Sequence, residues 1–230
     1  MKPFPVLLLG ISLVAAQPAL RLSESPDWGV YEDVWGPARY NAKLRARIAE
    51  LGHQPKYVMF FRDLRHPFPK NVLASNPEIT FVVSLELHEW GNRNGEYLAR
   101  IVGGEYDGFF RTWAREAAAA KVPFLLRFGF EMSGKWFSWG GQPDLFRKAW
   151  AHVHALFQEA GATNARWLFS PNVLYGSMTP EKDLAPYYPG DSLVDWVGLD
   201  GYNFGDKYDK FHRWSSYAVF QGWLNGLKGR

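Results

Sequence analysis

Short apolar segments alternate with amphipathic ones along most of this 230-residue chain, and this alternation constrains the fold more than any other feature. The apolar segments are rich in aromatic and β-branched residues, which is typical of buried strands. We predict strands over residues 28–31, 56–61, 79–84, 123–130, 166–171 and 193–199. Because strands separated by helices pair in parallel through right-handed crossovers, the pattern predicts an α/β fold.

Helices are predicted between these strands from periodicity and from end signals. Asp107–Ala120 places its apolar residues on one face, and Pro37–Leu51 ends just before a glycine. Pro143 stands where a helix favours its first residue, and Gly161 closes the same segment. An aromatic stretch over about 211–227 is able to form one more helix. The length of the chain suits a single domain.

Polar side chains gather where the predicted strands end. They are Glu86, Glu131, Asn172, Asp200 and Tyr202. In a (β/α)8 barrel the carboxyl ends of the strands form the catalytic face. Only about six β/α units are recognisable in the sequence. The expected fold is therefore a (β/α)8 TIM barrel that is incomplete.

The segment 122–139, VPFLLRFGFEMSGKWFSW, carries the clearest chemical signal. Glu131 follows a buried strand directly and is close in sequence to Trp136 and Trp139. A carboxyl group beside indole rings is poorly solvated, so its pKa should rise, as a general acid near neutral pH requires. The same residues also fit a strand-end glutamate that pairs with a nearby arginine. We favour the proton donor.

The N-terminus predicts export. Residues 1–19 combine Lys2, an apolar run and small residues suitable for cleavage, which is typical of a secretory signal peptide; a buried N-terminal helix is the alternative. Residues 20–230 then form the barrel domain, in the periplasm or outside the cell. We expect a monomer with no membrane span once the signal is removed. The formal charge of +3 has no basic run, which argues against nucleic acid as a partner.

No metal or cofactor is expected. His152 and His154 are two residues apart on a predicted helix and point to different sides, so they cannot share a metal ion. His88 and Glu89 lack the second histidine of a zinc protease helix. Two carboxyl groups at neighbouring strand ends, by contrast, suffice for glycoside hydrolysis.

Three phrases in order carry a family resemblance: YDGFFRTWAREAAAAKVPFLLRFGFEMSGKWFSWGG, FRKAWAHVHALFQEAGATNARWLFSPN and YYPGDSLVDWVGLDGYNFG. They resemble glycoside hydrolase family 26, and the likeness extends over about residues 29–206. The family is best known for retaining endo-β-1,4-mannanases on a (β/α)8 barrel. The resemblance therefore implies a polysaccharide substrate, most of all β-1,4-mannan, and two catalytic carboxylates.

The resemblance also implies roles for single residues. Glu131 matches the acid/base glutamate after strand four, and Trp136 matches an aromatic residue that stacks on sugar. Tyr202 matches the tyrosine that hydrogen-bonds the nucleophile, and Arg127 is able either to hold that second carboxylate or to form an internal ion pair. Further candidates for substrate binding are Asn172 and Asp200, with Glu86 and His88 as looser matches.

The sequence departs from the family in two places. Phe130 and Ser133 stand where the family has a histidine and an asparagine, which points to another substrate or to weaker catalysis. The family's nucleophile is a glutamate that ends strand seven, and this chain has no glutamate after Glu181. Asp206 and Asp209 are poor replacements, because they follow strand six. We therefore expect the 230-residue chain itself to be inactive.

Three hypotheses follow for function. The chain is part of a secreted family 26 mannanase, or it is a relative that binds glycans without cleaving them. In the third hypothesis it acts on another β-glycan, such as β-1,3-xylan, a mixed-linkage glucan or a bacterial exopolysaccharide.

Overall fold

The computed structural model describes residues 27–33, 37–173 and 178–201. Within these ranges the strands are β1 Gly29–Tyr31, β2 Tyr57–Arg62, β3 Thr80–Leu85, β4 Phe124–Phe128, β5 Ala165–Phe169 and β6 Trp196–Val197. The α-helices are α1 Pro37–Leu51, α2 Lys70–Ala74, α3 Tyr97–Val102, α4 Asp107–Ala120 and α5 Pro143–Glu159. A π-helical turn, Pro180–Leu184, and the 3₁₀ turns Ala185–Tyr187 and Asp191–Leu193 precede β6.

The six described strands form one parallel sheet in the order β1-β2-β3-β4-β5-β6. Sequential order with parallel pairing is the arrangement of a barrel wall, and the sheet curls into a half-barrel. This confirms the predicted α/β class and the incomplete TIM barrel. The predicted signal segment, Tyr202 and the predicted helix over 211–227 lie outside the described residues.

Helices cover the outer face of the sheet with an aromatic core. Phe128 of β4 is at its centre, and its ring lies 6.3 Å from Phe146, 5.7 Å from Trp150 and 5.8 Å from Trp167. The indole of Trp150, which is fully buried, donates a 3.0 Å hydrogen bond to the carbonyl of Leu193. Much of the aromatic content of the chain therefore stabilises the fold, since large buried rings contribute heavily to core packing.

The inner face of the sheet changes from apolar to polar towards the carboxyl ends of its strands. Val82, Leu125 and Leu168 form a small buried cluster. Ser84 and Arg127 lie two residues further along β3 and β4 and are aligned with each other. Because side chains alternate between the two faces of a strand, Ser84 and Arg127 point into the same half-barrel as the cluster below them.

Two short helices were not predicted. Pro69 directly precedes α2, and α3 follows the loop after β3. Five and six residues are too few for a helical period to stand out in a sequence. Among the described residues, no helix is long and apolar enough to cross a membrane.

Candidate active site

A sharp turn after β4 places Glu131 at the mouth of the half-barrel. Gly129 and Glu131 both have left-handed backbone angles, with φ of 54° and 53°. A Cβ on Gly129 would come within 2.7 Å of the Leu87 side chain, so the turn requires glycine there. The Glu131 amide donates a 2.8 Å hydrogen bond to the Ser170 carbonyl and thereby fixes the turn against the end of β5.

The Glu131 carboxyl group is buried, with 8% of the residue exposed. The indole Nε1–H of Trp136 donates a 2.7 Å hydrogen bond to its Oε2. Burial raises the pKa of Glu131, and the negative charge of Asp200 raises it further, while the Trp136 hydrogen bond and the Arg127 charge lower it. The predicted rise in pKa is confirmed, and burial is its main cause.

The buried side chain of Arg127 forms an ion pair with the partly exposed carboxylate of Asp200. Its Nε donates a 3.1 Å hydrogen bond to Ser170 Oγ, and its Nη1 donates a 3.0 Å hydrogen bond to Ser84 Oγ. Ser170 Oγ donates in turn to Asp200 Oδ2 at 2.8 Å. Of the two roles considered for Arg127, these contacts are those of the internal ion pair. They also hold the Asp200 carboxylate in a fixed position beside Glu131.

Two serines of this network, Ser84 and Ser170, were not among the predicted site residues. The sequence feature that could have identified them is a serine within an otherwise apolar strand, as in TFVVSL, or directly after one, as in ARWLFS. Each is nearly inaccessible to solvent, and each supplies a hydrogen-bonding partner for Arg127. Without these oxygens, the buried guanidinium would have unsatisfied N–H groups.

Asn172 joins the end of β5 to the loop that follows β4. Its side chain accepts a hydrogen bond from Ser133 Oγ, and its backbone pairs with Asp200 in a parallel bridge. Asn172 is 4% exposed, so it shapes the floor of the mouth. Ser133, one of the two residues that replace the histidine and asparagine of the family motif, thus has a partner within the site.

Phe130, the other of these two residues, has its ring buried beneath the mouth. The ring centroid lies 4.1 Å from the Arg127 guanidinium, within the range of a cation–π contact. The ring also packs against Phe61, Phe137 and Trp139, at 5.4, 5.2 and 5.6 Å between centroids. An apolar ring at this position therefore holds Arg127 by its π face instead of presenting a polar group to the mouth.

Glu86 and His88 follow β3 and form a second group. Trp90 donates its indole N–H to Glu86 Oε2, and His88 Nε2 lies 3.8 Å from the same oxygen. His88 Nε2 is buried and has no hydrogen-bond partner among the described residues. Burial lowers the pKa of His88, against an opposing effect of Glu86, so the imidazole is neutral near pH 7.

The predicted site residues thus fall into two neighbouring groups. Direct contacts join Glu131 with Trp136, Arg127 with Asp200, and Asp200 with Asn172. The Glu86 and His88 group adjoins them through Trp139, whose ring stacks on His88 at 5.3 Å and packs against Phe130. Tyr202 lies outside the described residues. Over the described ranges, no group of three or more His, Asp or Glu residues is arranged to hold a metal ion.

The arrangement provides a protonatable carboxyl group beside a stacking surface. The pKa of Glu131 is raised above its ordinary value, and Trp136 next to it is 52% exposed. Asp200 Oδ2 is occupied by Arg127 and Ser170, which suits a fixed charge better than a nucleophile. The described residues can thus position and protonate a leaving oxygen.

Comparison with known proteins places this geometry in a family. The sequence profile of glycosyl hydrolase family 26 matches residues 102–222, which is more than half of the chain. A mannan endo-1,4-β-mannosidase of Bacillus subtilis is 35% identical over 128 residues, or 51% of this chain and 31% of that protein. Endoglucanase H of Acetivibrio thermocellus is 28% identical over 124 residues, covering 51% and 14%. The β-1,3-xylanase TXYA of a Vibrio species is 28% identical over 106 residues, covering 46% and 22%.

The match spans from about a seventh to a third of the length of these relatives. The fold agrees with the sequence match. A β-mannanase from a symbiotic protist of the termite Reticulitermes speratus superposes with a TM-score of 0.64 at 18% identity, covering 88% of this chain and 70% of that one. The profile match, with the half-barrel and the strand-end glutamate, establishes that the chain belongs to glycosyl hydrolase family 26.

Proposed function

We propose that this chain carries the acid/base half of a retaining glycoside hydrolase that cleaves a β-linked polysaccharide internally. The observation that carries the proposal is the buried Glu131 carboxyl group, with a raised pKa, hydrogen-bonded to a half-exposed indole at the carboxyl end of β4. A protonated carboxyl group at this position donates to the leaving oxygen and later, as a carboxylate, activates water.

The remaining side chains support that chemistry. Trp136 offers an exposed face for stacking on a sugar ring next to the proton donor. The Arg127–Asp200 pair places two opposite charges near Glu131. The negative charge of Asp200 raises the pKa of Glu131, and the positive charge of Arg127 lowers it. Asn172 shapes the floor, and Tyr202 remains a proposed partner of the nucleophile.

We favour β-1,4-mannan as the substrate. A mannan endo-1,4-β-mannosidase of Bacillus subtilis is 35% identical over the matched 128 residues. The β-1,3-xylanase relative supports a second candidate, β-1,3-xylan, and Phe130 adds to it because an apolar ring removes a polar group from the mouth. The endoglucanase H relative supports a glucan as a third candidate, and a mixed-linkage glucan is the form that we propose to test.

Retention requires a nucleophilic carboxylate about 5–5.5 Å from the acid. In the family this is a glutamate on strand seven, and the chain has no glutamate after Glu181. We therefore propose that the 230-residue chain binds the polysaccharide without cleaving it. Secretion or export to the periplasm is part of the proposal and rests on residues 1–19. N-terminal sequencing of the mature protein tests it.

The decisive experiment supplies the missing nucleophile from solution. The purified chain and Glu131→Gln are incubated with β-1,4-mannan, β-1,3-xylan and mixed-linkage glucan, with and without azide. Azide attacks the anomeric carbon as the bond to the leaving oxygen breaks, and that oxygen takes the proton of Glu131.

We expect affinity gels to show retention of the chain on mannan, with cleavage only when azide is present. The product should be the α-glycosyl azide, formed by a single inversion, and Glu131→Gln should lose cleavage while it retains binding. Cleavage without azide would overturn the proposed inactivity. Failure to bind any of the three glycans would overturn the proposed function.

A further inference from the structure

Among the described tyrosine, tryptophan and phenylalanine side chains, the two that are exposed both lie at the mouth of the half-barrel. Trp136 is 52% exposed and Tyr31 is 47% exposed, whereas the third exposed large apolar side chain, Leu51, ends α1. We propose that Tyr31 is a second sugar-stacking platform and that the ligand is a β-linked oligosaccharide long enough to contact Tyr31 and Trp136 together. This inference rests on the proposed function and extends it to a binding site at the end of β1.

The strand register directs Tyr31 into the half-barrel. Tyr31 pairs with Met59, which packs on the inward-facing cluster of Val82, Leu125 and Leu168. Paired residues of neighbouring strands point to the same face of a sheet, so Tyr31 faces inward as well. It is also the last residue of β1, which places it at the same end of the sheet as Glu131.

A continuous row of rings connects Tyr31 with Trp136. Successive centroids lie 5.5 Å apart from Tyr31 to Phe61, then 5.4 Å to Phe130 and 5.2 Å to Phe137. The last step, from Phe137 to Trp136, is 6.5 Å. Phe130 is buried, and its two neighbours in the row are partly buried. The inner rings therefore support the row, and its two ends present their surfaces to solvent.

The surroundings of Tyr31 suit a sugar. Its hydroxyl donates a hydrogen bond to the exposed Asp33 carboxylate, which fixes the ring. Partial burial and that hydrogen bond raise the pKa of Tyr31 to about 12, so the phenol stays neutral. An apolar ring face beside a carboxylate that accepts hydroxyl protons is a combination typical of carbohydrate sites.

The distance between the two platforms sets the size of the ligand. β1 and β4 are separated by three strand spacings, which amount to about 14 Å along the sheet. A single sugar ring cannot bridge that distance, whereas an oligosaccharide can. The contribution of Tyr31 to affinity should therefore depend on chain length. A ring that is exposed merely because β1 is at the edge of the described sheet would contribute nothing at any length.

The test is calorimetric titration of the purified chain with mannobiose and with mannohexaose. We compare the wild type with Tyr31→Ala, Tyr31→Phe and Trp136→Ala, and use Leu51→Ala as the control for an exposed side chain outside the mouth. We expect Tyr31→Ala to weaken mannohexaose binding roughly tenfold and to leave mannobiose binding unchanged. Tyr31→Phe, which keeps the ring, should bind like the wild type and also guards against a folding defect in the alanine variant.

The outcomes separate this inference from the function on which it rests. Equal mannohexaose affinity in Tyr31→Ala and the wild type, with a loss in Trp136→Ala, would overturn the second platform alone. Absence of mannohexaose binding by the wild type would overturn the mannan-binding function and the second platform together.

Discussion

The Arg127–Asp200 pair allows a quantitative test of how the half-barrel tolerates buried charge. The Arg127 side chain is 5% exposed and the Asp200 side chain is 21% exposed. Asp200→Asn leaves the guanidinium buried without a counter-charge, which should destabilise the chain by about 3–5 kcal/mol. Arg127→Met leaves a carboxylate that water can reach and that Ser170 still bonds, so the expected cost is about 1–3 kcal/mol.

The double variant should be more stable than the sum of the single effects predicts. Since neither charge remains, the expected coupling energy between the two positions is about 2 kcal/mol. The exposed pair Arg111 and Glu159, whose side chains are 46% and 58% exposed, serves as the control and should couple by less than about 1 kcal/mol.

Each pair is studied as a double-mutant cycle of four proteins: the wild type, the two single variants and the double variant. Urea unfolding followed by circular dichroism gives the free energy of unfolding of each protein. Equal coupling in the two cycles would refute the reasoning, because burial would then have no influence on the pair. A larger loss of stability in Arg127→Met than in Asp200→Asn would refute the argument that the less exposed charge is the more costly one to leave unpaired.

Two further predictions concern the turn after β4. The raised pKa of Glu131 means that the folded state binds more protons than the unfolded state above the ordinary value of 4.5, so its carboxyl group costs stability as pH rises. Glu131→Gln should therefore gain stability relative to the wild type as pH rises above 4.5, and a difference in the free energy of urea unfolding that does not change with pH would contradict this. Gly129→Ala should destabilise by about 2–4 kcal/mol, because its Cβ would meet Leu87 at 2.7 Å and Phe146 at 3.0 Å with φ at 54°. Gly161→Ala, with φ at 70° and open space around it, should lose only about 1 kcal/mol of stability in thermal unfolding. Equal losses of stability in the two alanine variants would show that the steric contact predicted at Gly129 has no cost.

The fold class was predictable because its signals are local. The alternation of strands and long helices appears directly in the sequence, and α4 and α5 begin at the expected Asp107 and Pro143. The short α2 and α3 escaped prediction because fewer than two helical turns leave no period to detect.

The site was predictable where it depends on neighbours in sequence. The raised pKa of Glu131 was predicted from the end of a buried strand and nearby indoles, and Trp136, five residues away, is the indole that hydrogen-bonds it. The partners of Arg127 depend on strand register, because Ser84 and Ser170 are each 43 residues away in the chain. Register is a property of the assembled sheet, so the sequence left both roles of Arg127 open.

The most direct test of the proton-donor assignment is the titration of the Glu131 carboxyl carbon by ¹³C NMR, with the resonance assigned by its loss in Glu131→Gln. Burial dominates the environment of this group, so the midpoint should lie above the ordinary value of 4.5. Trp136→Phe removes the hydrogen bond to Oε2 and should raise the midpoint further. A midpoint at or below 4.5 in the wild type would contradict the role of Glu131 as the proton donor.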